Sequence, residues 1–176
     1  YHNAMAAPAL DDLAAIWADI CLLCDRHGSK LLNGKVSGLP DLLLVDRHPS
    51  DSDGHGSLGY VPMATTGYLE QAKLAAQRTF IPGTESAGAG QDDVAAPAFL
   101  AFAKEERAGR CLDACLATLA VVASQALHVT GRQAPPALRG FLSELRSIVP
   151  PVGNDRVLGP ELLDLANFFT KKAFTP

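Results

Sequence analysis

The sequence has no excess of basic residues. Its 176 residues include 15 lysines and arginines against 19 aspartates and glutamates, so the formal net charge is −4. Proteins that bind nucleic acid through its phosphates carry a basic surface. Lysine and arginine are scattered singly here, with only Lys171 and Lys172 adjacent. We therefore expect no nucleic-acid partner.

The sequence also lacks an apolar run of the about 20 residues that a membrane-spanning helix needs. The longest run, from Leu116 to Val129, is interrupted by polar residues. The N-terminus has neither the basic region nor the long apolar stretch of a signal peptide. Residues 1–4, which precede Met5, are interpreted as an expression-tag remnant. These features predict no membrane association and a cytoplasmic location.

Short motifs of several large enzyme classes are missing. The sequence has no Gly-x-Ser-x-Gly, no Gly-x4-Gly-Lys, no Gly-x-Gly-x-x-Gly after a predicted strand, and no His-Glu-x-x-His. These motifs build a nucleophile elbow, a phosphate loop, a dinucleotide site and a zinc site, respectively. Their absence leaves no residue that we predict to be catalytic or to bind an organic cofactor.

Apolar residues, which make up 48% of the chain, recur at the three-to-four-residue spacing of helices. Proline begins several of these segments, and glycine or proline ends them. The pattern predicts an all-α fold: a single-domain bundle of six to seven helices over residues 5–176. A segment rich in Gly, Ala and Ser at 81–96 is predicted to be flexible. The predicted helices cover residues 10–27, 40–48, 66–80, 97–108, 110–130, 136–148 and 160–169.

One short sequence occurs twice, 21 residues apart, at residues 22–29 and 43–50. Each copy is an apolar run followed by Asp-Arg-His and then by Gly28 or Pro49. Arginine and histidine in the last turn of a helix complement the negative end of its dipole. We interpret the repeat as two similar helix ends rather than as a paired catalytic site.

The densest group of polar side chains lies in residues 46–56, where carboxylates and imidazoles alternate. Such side chains on a glycine-containing loop are typical of a bound metal ion, although the spacing is not that of an EF-hand. The alternative is a solvated loop, because Asp, Ser, Gly and Pro also build turns. The predicted ligands of a divalent metal ion are His48, Asp51, Asp53 and His55.

Four cysteines form two pairs, Cys21 with Cys24 and Cys111 with Cys115. Four thiolates suit a tetrahedral zinc ion, but both pairs lie inside periodic helices and neither is at a turn. Free cysteine on the buried face of a helix packs as a small hydrophobic residue. We therefore predict core packing, with a zinc or redox site and a disulfide as the alternatives.

Part of the chain resembles a known family. The stretch Gly38-Leu39-Pro40-Asp41, followed by residues 59–63 and 68–72, is similar to RecB-like nucleases of the PD-(D/E)xK superfamily. The resemblance implies an α+β fold with a small sheet from residues 39–46 and 58–64, and Asp41 as a metal ligand. The Glu-x-Lys of that family is missing near residues 64–66, so the alternative fold is that of a degenerate, inactive nuclease.

A small acidic bundle without catalytic motifs favours a non-enzymatic helical protein–protein interaction module, such as an adaptor, an immunity or inhibitor protein, or a regulatory subunit. We expect another protein as its partner, or further copies of itself in a homo-oligomer, and no cofactor. The alternative is a metal-dependent hydrolase or metal-binding protein that uses loop 46–56. A third option is a pocket for an apolar ligand, lined by Phe99, Phe102, Phe141, Phe168 and Phe169.

Overall fold

The computed structural model describes residues 5–44, 58–79, 98–153 and 156–172. Within these ranges the chain forms six α-helices and two 3-10 turns and contains no strand, which confirms the predicted all-α bundle. The α-helices are α1 (Ala6–Leu32), α2 (Gly34–Ser37), α3 (Val61–Ala75), α4 (Ala98–Val129), α5 (Arg139–Ile148) and α6 (Gly159–Lys171), and the 3-10 turns are Asp41–Leu43 and Pro136–Leu138.

The long helix α4, with 32 residues, is the centre of the bundle. It contacts α1, α3, α5 and α6, and α1 also packs on α3. By length and composition alone α4 meets the criteria for a membrane-spanning helix. Its buried face, however, packs against these neighbouring helices, which is the ordinary reason for an apolar sequence in a core helix.

Two buried cores lie along α4. The first, which we call the small-residue core, joins α1, α3 and the first half of α4, and alanine and cysteine dominate it. The second, the large-residue core, surrounds the second half of α4 and consists mainly of leucine and valine. The small-residue core includes Ala14, Ala18, Cys21, Cys24, Leu69, Ala72, Ala75, Ala108, Cys111 and Cys115. The large-residue core includes Leu32, Leu43, Leu58, Val61, Val121, Val122, Leu145, Val149, Val152 and Leu165.

The prediction of two helices separated at Gly109 is wrong, because α4 runs through this position without a break. A Cβ atom added to Gly109 would lie only 2.7 Å from Cζ3 of Trp17 on α1. Glycine is present here because the indole packs directly against the backbone of α4, and its cost within a helix is only about 1 kcal/mol.

The prediction that Asp25-Arg26-His27 ends a helix at Gly28 is also wrong. Helix α1 continues through Gly28, which is buried, to Leu32. Continuation buries Leu32 in the large-residue core, and that burial offsets the cost of one internal glycine. The second copy of the repeat lies largely in residues 45–57, outside the described residues.

In the first turns of α4, large apolar residues that would be expected in the core are exposed to solvent. Phe99, Leu100 and Phe102 are exposed, Phe99 to 93%, whereas Ala101 and Ala108 are fully buried. Alanine faces the neighbouring helices because helix pairs that approach closely leave room for small side chains alone. The five phenylalanines therefore do not line one pocket: Phe141, Phe168 and Phe169 pack on the large-residue core instead.

The nuclease-like alternative is wrong for the described parts of residues 39–46 and 58–64. Residues 41–43 form a 3-10 turn, and α3 begins at Val61. The carboxylate of Asp41 accepts a hydrogen bond from the backbone N–H of Gly34 at 2.9 Å. Asp41 thus caps the N-terminus of α2. The predicted tag remnant at 1–4 and nearly all of the predicted flexible segment at 81–96 lie outside the described residues.

Candidate functional site

A cavity of about 500 Å³ opens between α3, α4 and α6. Its volume suits a small molecule. The contributing positions on α4 are spaced by three or four residues, so one face of α4 forms the wall. The cavity is lined by Ala64, Tyr68, Gln71, Arg107, Arg110, Cys111, Asp113, Ala114, Thr118, Gly159, Leu162, Leu163, Ala166, Asn167 and Thr170.

The charged side chains of this cavity are already paired with other groups of the protein. Nη2 of Arg107 donates to Oε1 of Gln71 at 3.1 Å, and Arg110 forms an ion pair with Glu106 at 2.7 Å. On the opposite side, the hydroxyl of Thr170 donates to Oδ2 of Asp113 at 2.6 Å. The cavity can bind a polar ligand only if that ligand replaces these contacts.

The four cysteines come together in the small-residue core, where all four are buried and free. This confirms the predicted core packing. Cys111 also lines the cavity, with 3% of its surface exposed. Burial raises the pKa of Cys111, and burial raises the pKa of Cys24 to about 11. The described residues contain no cluster of His, Cys, Asp or Glu that could hold a metal ion.

Hydrogen bonding between the thiols of Cys21 on α1 and Cys115 on α4 raises the pKa of Cys115, as does burial, and lowers the pKa of Cys21. Because a thiol with a raised pKa stays protonated at neutral pH, neither Cys115 nor Cys111 is an activated nucleophile. Cys111 and Cys115 therefore contribute packing.

A second polar cluster lies where α3 ends. The carboxylate of Asp11 on α1, only 1% exposed, accepts hydrogen bonds from the N–H of Thr79 at 2.7 Å and from its hydroxyl at 2.6 Å. Lys104 on α4 donates to the Thr79 hydroxyl at 2.9 Å and to the backbone oxygen of Gln77. The cluster fixes the chain after α3 to both α1 and α4.

The electrostatics of this cluster favour the charged carboxylate. Burial alone raises the pKa of Asp11, but the Thr79 hydrogen bonds and the charges of Lys104 and Arg78 outweigh it. The pKa of Asp11 therefore lies below its ordinary value of 3.8. The ammonium of Lys104 lies 3.7 Å from Oδ1 of Asp11. Asp11 is thus a structural anion at neutral pH.

The predicted metal ligands His48, Asp51, Asp53 and His55 lie in residues 45–57, outside the described residues, and that site stays a prediction. His27 and His128 are exposed at separate places. Sequence reasoning missed the cavity between α3, α4 and α6. The three-residue spacing of Arg107 and Arg110, with Cys111 next to them, was the one available signal.

Fold and cavity together define an all-helical protein whose charged and thiol groups, within the described residues, are engaged in structural contacts. A family model described as aromatic amino acid lyase matches residues 1–147. The chain belongs to this family. The predictions of a non-enzymatic interaction module and of a metal-dependent hydrolase are both wrong, because the matched family is one of aromatic amino acid lyases and aminomutases.

Individual relatives agree with the family. The chain is 28% identical over 167 residues to histidine ammonia-lyase of Symbiobacterium thermophilum, a match that covers 94% of this chain and 32% of that protein. The chain thus spans about a third of the length of this relative.

Solved structures superpose on nearly the whole chain. Histidine ammonia-lyase from Trypanosoma cruzi matches with a TM-score of 0.83 and 18% identity, over 96% of this chain and 33% of that chain. Phenylalanine aminomutase from Pantoea agglomerans matches with a TM-score of 0.87 and 17% identity, over 98% of this chain and 33% of that chain. At these identities the likeness shows a common fold and does not select between the two activities.

Proposed function

We propose that this chain is part of an ammonia-lyase that acts on an aromatic amino acid, and that L-histidine is the first substrate to test. In such a reaction the Cα–N bond breaks and a proton leaves Cβ, so the products are ammonia and an α,β-unsaturated acid. The observation that supports this proposal is the family match over residues 1–147, together with the relative named as a histidine ammonia-lyase.

Within that enzyme, the described helices supply structure to the catalytic part. Their buried carboxylate, Asp11, is held by Thr79 and Lys104, and the buried thiols of Cys24, Cys111 and Cys115 have raised pKa values. Groups held in this way do not serve as a general base or a nucleophile at neutral pH.

Enzymes of this family depend on MIO, a prosthetic group that forms autocatalytically from the protein itself. The cavity between α3, α4 and α6 does not fit this group. All its lining residues lie within helices, where backbone hydrogen bonds hold the chain in a regular conformation that leaves no peptide free to cyclise. No step of the reaction is therefore assigned to the cavity.

Other expectations from the sequence stay predictions: a cytoplasmic location, another protein or further copies of the chain as partners, no nucleic acid, no membrane, and no cofactor other than a divalent metal ion at loop 46–56. The expectation of no cofactor differs from the dependence of the family on MIO. The other expectations neither support nor contradict an ammonia-lyase.

The test measures ammonia release and the absorbance of the unsaturated acid, with L-histidine, L-phenylalanine and L-tyrosine as substrates and D-histidine as the control. Two preparations are compared: the 176-residue chain, and the natural polypeptide that contains it, isolated from its host. Activity of either preparation on an L-amino acid supports the proposal. If neither releases ammonia from any of them while both are folded by circular dichroism, the proposal is wrong.

A matched pair of variants tests the structural role. Gln125→Leu disrupts the hydrogen bonds between α4 and the segment after α5 and should abolish activity of the natural polypeptide. Gln77→Leu alters an exposed side chain whose contact to Lys104 is made by its backbone oxygen, and it should leave activity unchanged. Equal activity of both variants would show that catalysis does not require these helices.

A further inference from the structure

A second cavity, an open surface groove of about 570 Å³, lies between the end of α4 and α5 and carries three arginines. Arg139, Ser143 and Arg146 lie on one face of α5, spaced by three or four residues, and Arg132 reaches the cavity from the turn after α4. None of the residues that line it is acidic. In a chain of net charge −4, this is a local concentration of positive charge.

The backbone holds Arg132 in a defined place. Gly131 adopts the left-handed conformation with φ 62°, and its N–H donates to the oxygen of His128 at 3.1 Å. The N–H of Arg132 donates to the oxygen of Leu127 at 3.1 Å. These two bonds are those of a Schellman motif, which ends α4 and directs the chain into the turn. Arg132 is therefore carried by an ordered helix end.

Hydrogen bonds position the guanidinium groups of Arg139 and Arg146, but some of their N–H donors have no partner within the described residues. Nε and Nη2 of Arg146 donate to the side-chain and backbone oxygens of Ser124, both at 3.1 Å, while its Nη1 makes no hydrogen bond within the described residues. Nε of Arg139 donates to the oxygen of Ala134 at 3.4 Å. Arg132 has no ion-pair partner in the described part of the chain.

The carboxylate of Glu144, which is nearest in sequence, does not neutralise the three arginines. Glu144 on α5 pairs with Lys172. In contrast, each arginine in the cavity between α3, α4 and α6 already has a protein partner, Gln71 or Glu106. Three guanidinium groups that share a cavity without an acidic partner repel one another, and a bound anion would relieve that repulsion.

We propose that Arg132, Arg139 and Arg146 bind the phosphate group of a phosphorylated small molecule. The planar fork of arginine donates two parallel hydrogen bonds to phosphate oxygens. A phosphate dianion matches three guanidinium groups better than a single carboxylate does. The hydroxyl of Ser143, which has no hydrogen-bond partner among the described residues, supplies a further donor. The volume of the cavity leaves room for more than the phosphate alone. This inference is independent of the proposed lyase function.

The test is calorimetric titration of the full chain with inorganic phosphate at constant ionic strength kept by sodium chloride, with ³¹P NMR as a second readout. We expect saturable binding with a Kd in the millimolar range or tighter. The double variant Arg132→Gln/Arg139→Gln should weaken binding at least about tenfold. Arg146 is left intact because its bonds to Ser124 also support the fold.

The matched control is Arg107→Gln/Arg110→Gln, which removes the same two positive charges from the other cavity and should retain wild-type affinity. Thermal unfolding of each variant verifies that it is folded. Absence of saturable binding, or equal weakening in both double variants, would overturn the proposal. Binding of a DNA duplex or of anionic lipid vesicles without binding of phosphate would also overturn it, because the site would then belong to a macromolecular surface.

Discussion

The two halves of α4 are packed in different ways. In the small-residue core, alanines, cysteines and Gly109 allow α1, α3 and α4 to approach closely, and the indole of Trp17 lies directly against the helix backbone. In the large-residue core, leucine and valine side chains fill the space between α4 and the shorter helices α5 and α6. Close packing therefore requires small side chains in the first half of α4 and large side chains in the second half.

The two cores also differ in their buried polar side chain. Asp11, at the edge of the small-residue core, is charged and takes its partners from Thr79 and Lys104. Gln125, in the large-residue core, is neutral and binds backbone: Nε2 donates to the oxygen of Val152, and Oε1 accepts from its N–H, both at 2.9 Å. One core is thus stabilised by an ion and the other by an amide, which makes the first sensitive to pH and the second insensitive.

The largest expected effect is that of Gln125→Leu. The change leaves both backbone groups of Val152 buried without partners and also removes the weaker contact to the oxygen of Leu43 at 3.4 Å. We expect a loss of about 2–5 kcal/mol in the free energy of unfolding, measured by urea titration. Gln77→Leu, on an exposed side chain, is the control. A difference of less than about 0.5 kcal/mol between the two variants would show that Gln125 does not anchor this core.

Asp11→Asn should destabilise the chain by about 1–3 kcal/mol at pH 7, because the amide cannot reproduce two acceptors and a charge next to Lys104. Since the pKa of Asp11 in the folded chain lies below its ordinary value of 3.8, the contribution of the charged form is present above that value and disappears as the pH falls through the lower folded pKa.

Urea titrations of wild type and Asp11→Asn at several pH values measure this dependence. The difference in free energy between them should be constant near neutral pH and shrink below pH 3.8. Asp19→Asn, an exposed carboxylate on α1, is the control for the loss of one negative charge. A difference that stayed constant down to the acid transition would exclude the ionic role.

Gly109→Ala should cost about 1–2 kcal/mol, because overpacking against Trp17 exceeds the gain in helix propensity. Gly67→Ala, within α3 and with nothing near the added Cβ, should instead stabilise by up to about 1 kcal/mol. Thermal unfolding of both variants compares them directly. In a Trp17→Leu background the cost of Gly109→Ala should vanish. If it persists, the close approach of the indole is not the cause.

The smallest effect concerns thiol reactivity. Because burial raises the pKa values of Cys24 and Cys111, iodoacetamide at neutral pH should label the folded chain slowly, and Cys111, at the cavity wall, should be labelled before Cys24. Mass spectrometry of peptides from partly labelled protein gives the order. Rapid labelling of all four cysteines in the folded chain would contradict the burial of the small-residue core. Cys111→Ser, which removes the first site, identifies its peptide.

Helical periodicity predicted most of the fold, since the three-to-four-residue spacing of apolar residues located most of the helices. It did not identify the buried face of α1, where Ile16 and Leu23 are exposed and Asp11 is buried. It failed at Gly28 and Gly109, where glycine was interpreted as a helix end. A single glycine costs too little to end a helix that gains tertiary contacts on both sides. It also failed at Phe99 and Phe102, because hydrophobicity does not reveal which face has room for a large side chain.

Function could not be predicted from short motifs. The resemblance that identifies the family is spread over residues 1–147, and the four short motifs that the sequence analysis sought are absent from it. The inference from missing motifs to a non-enzymatic protein was therefore wrong. The cavity between α3, α4 and α6 could not be predicted because its lining residues come from helices distant in the chain. The second cavity is lined only by residues between 132 and 147, and the sequence analysis did not recognise it.

By itself the sequence determined that the chain is helical, that its cysteines are buried, and where most helices lie, because these properties depend on local propensity and on the period of apolar residues. Tertiary structure alone decided that α4 is continuous and that Asp11 and Gln125 are anchors. Those features depend on contacts between residues far apart in the chain, such as Asp11 with Thr79 and Gln125 with Val152, and no local pattern records them.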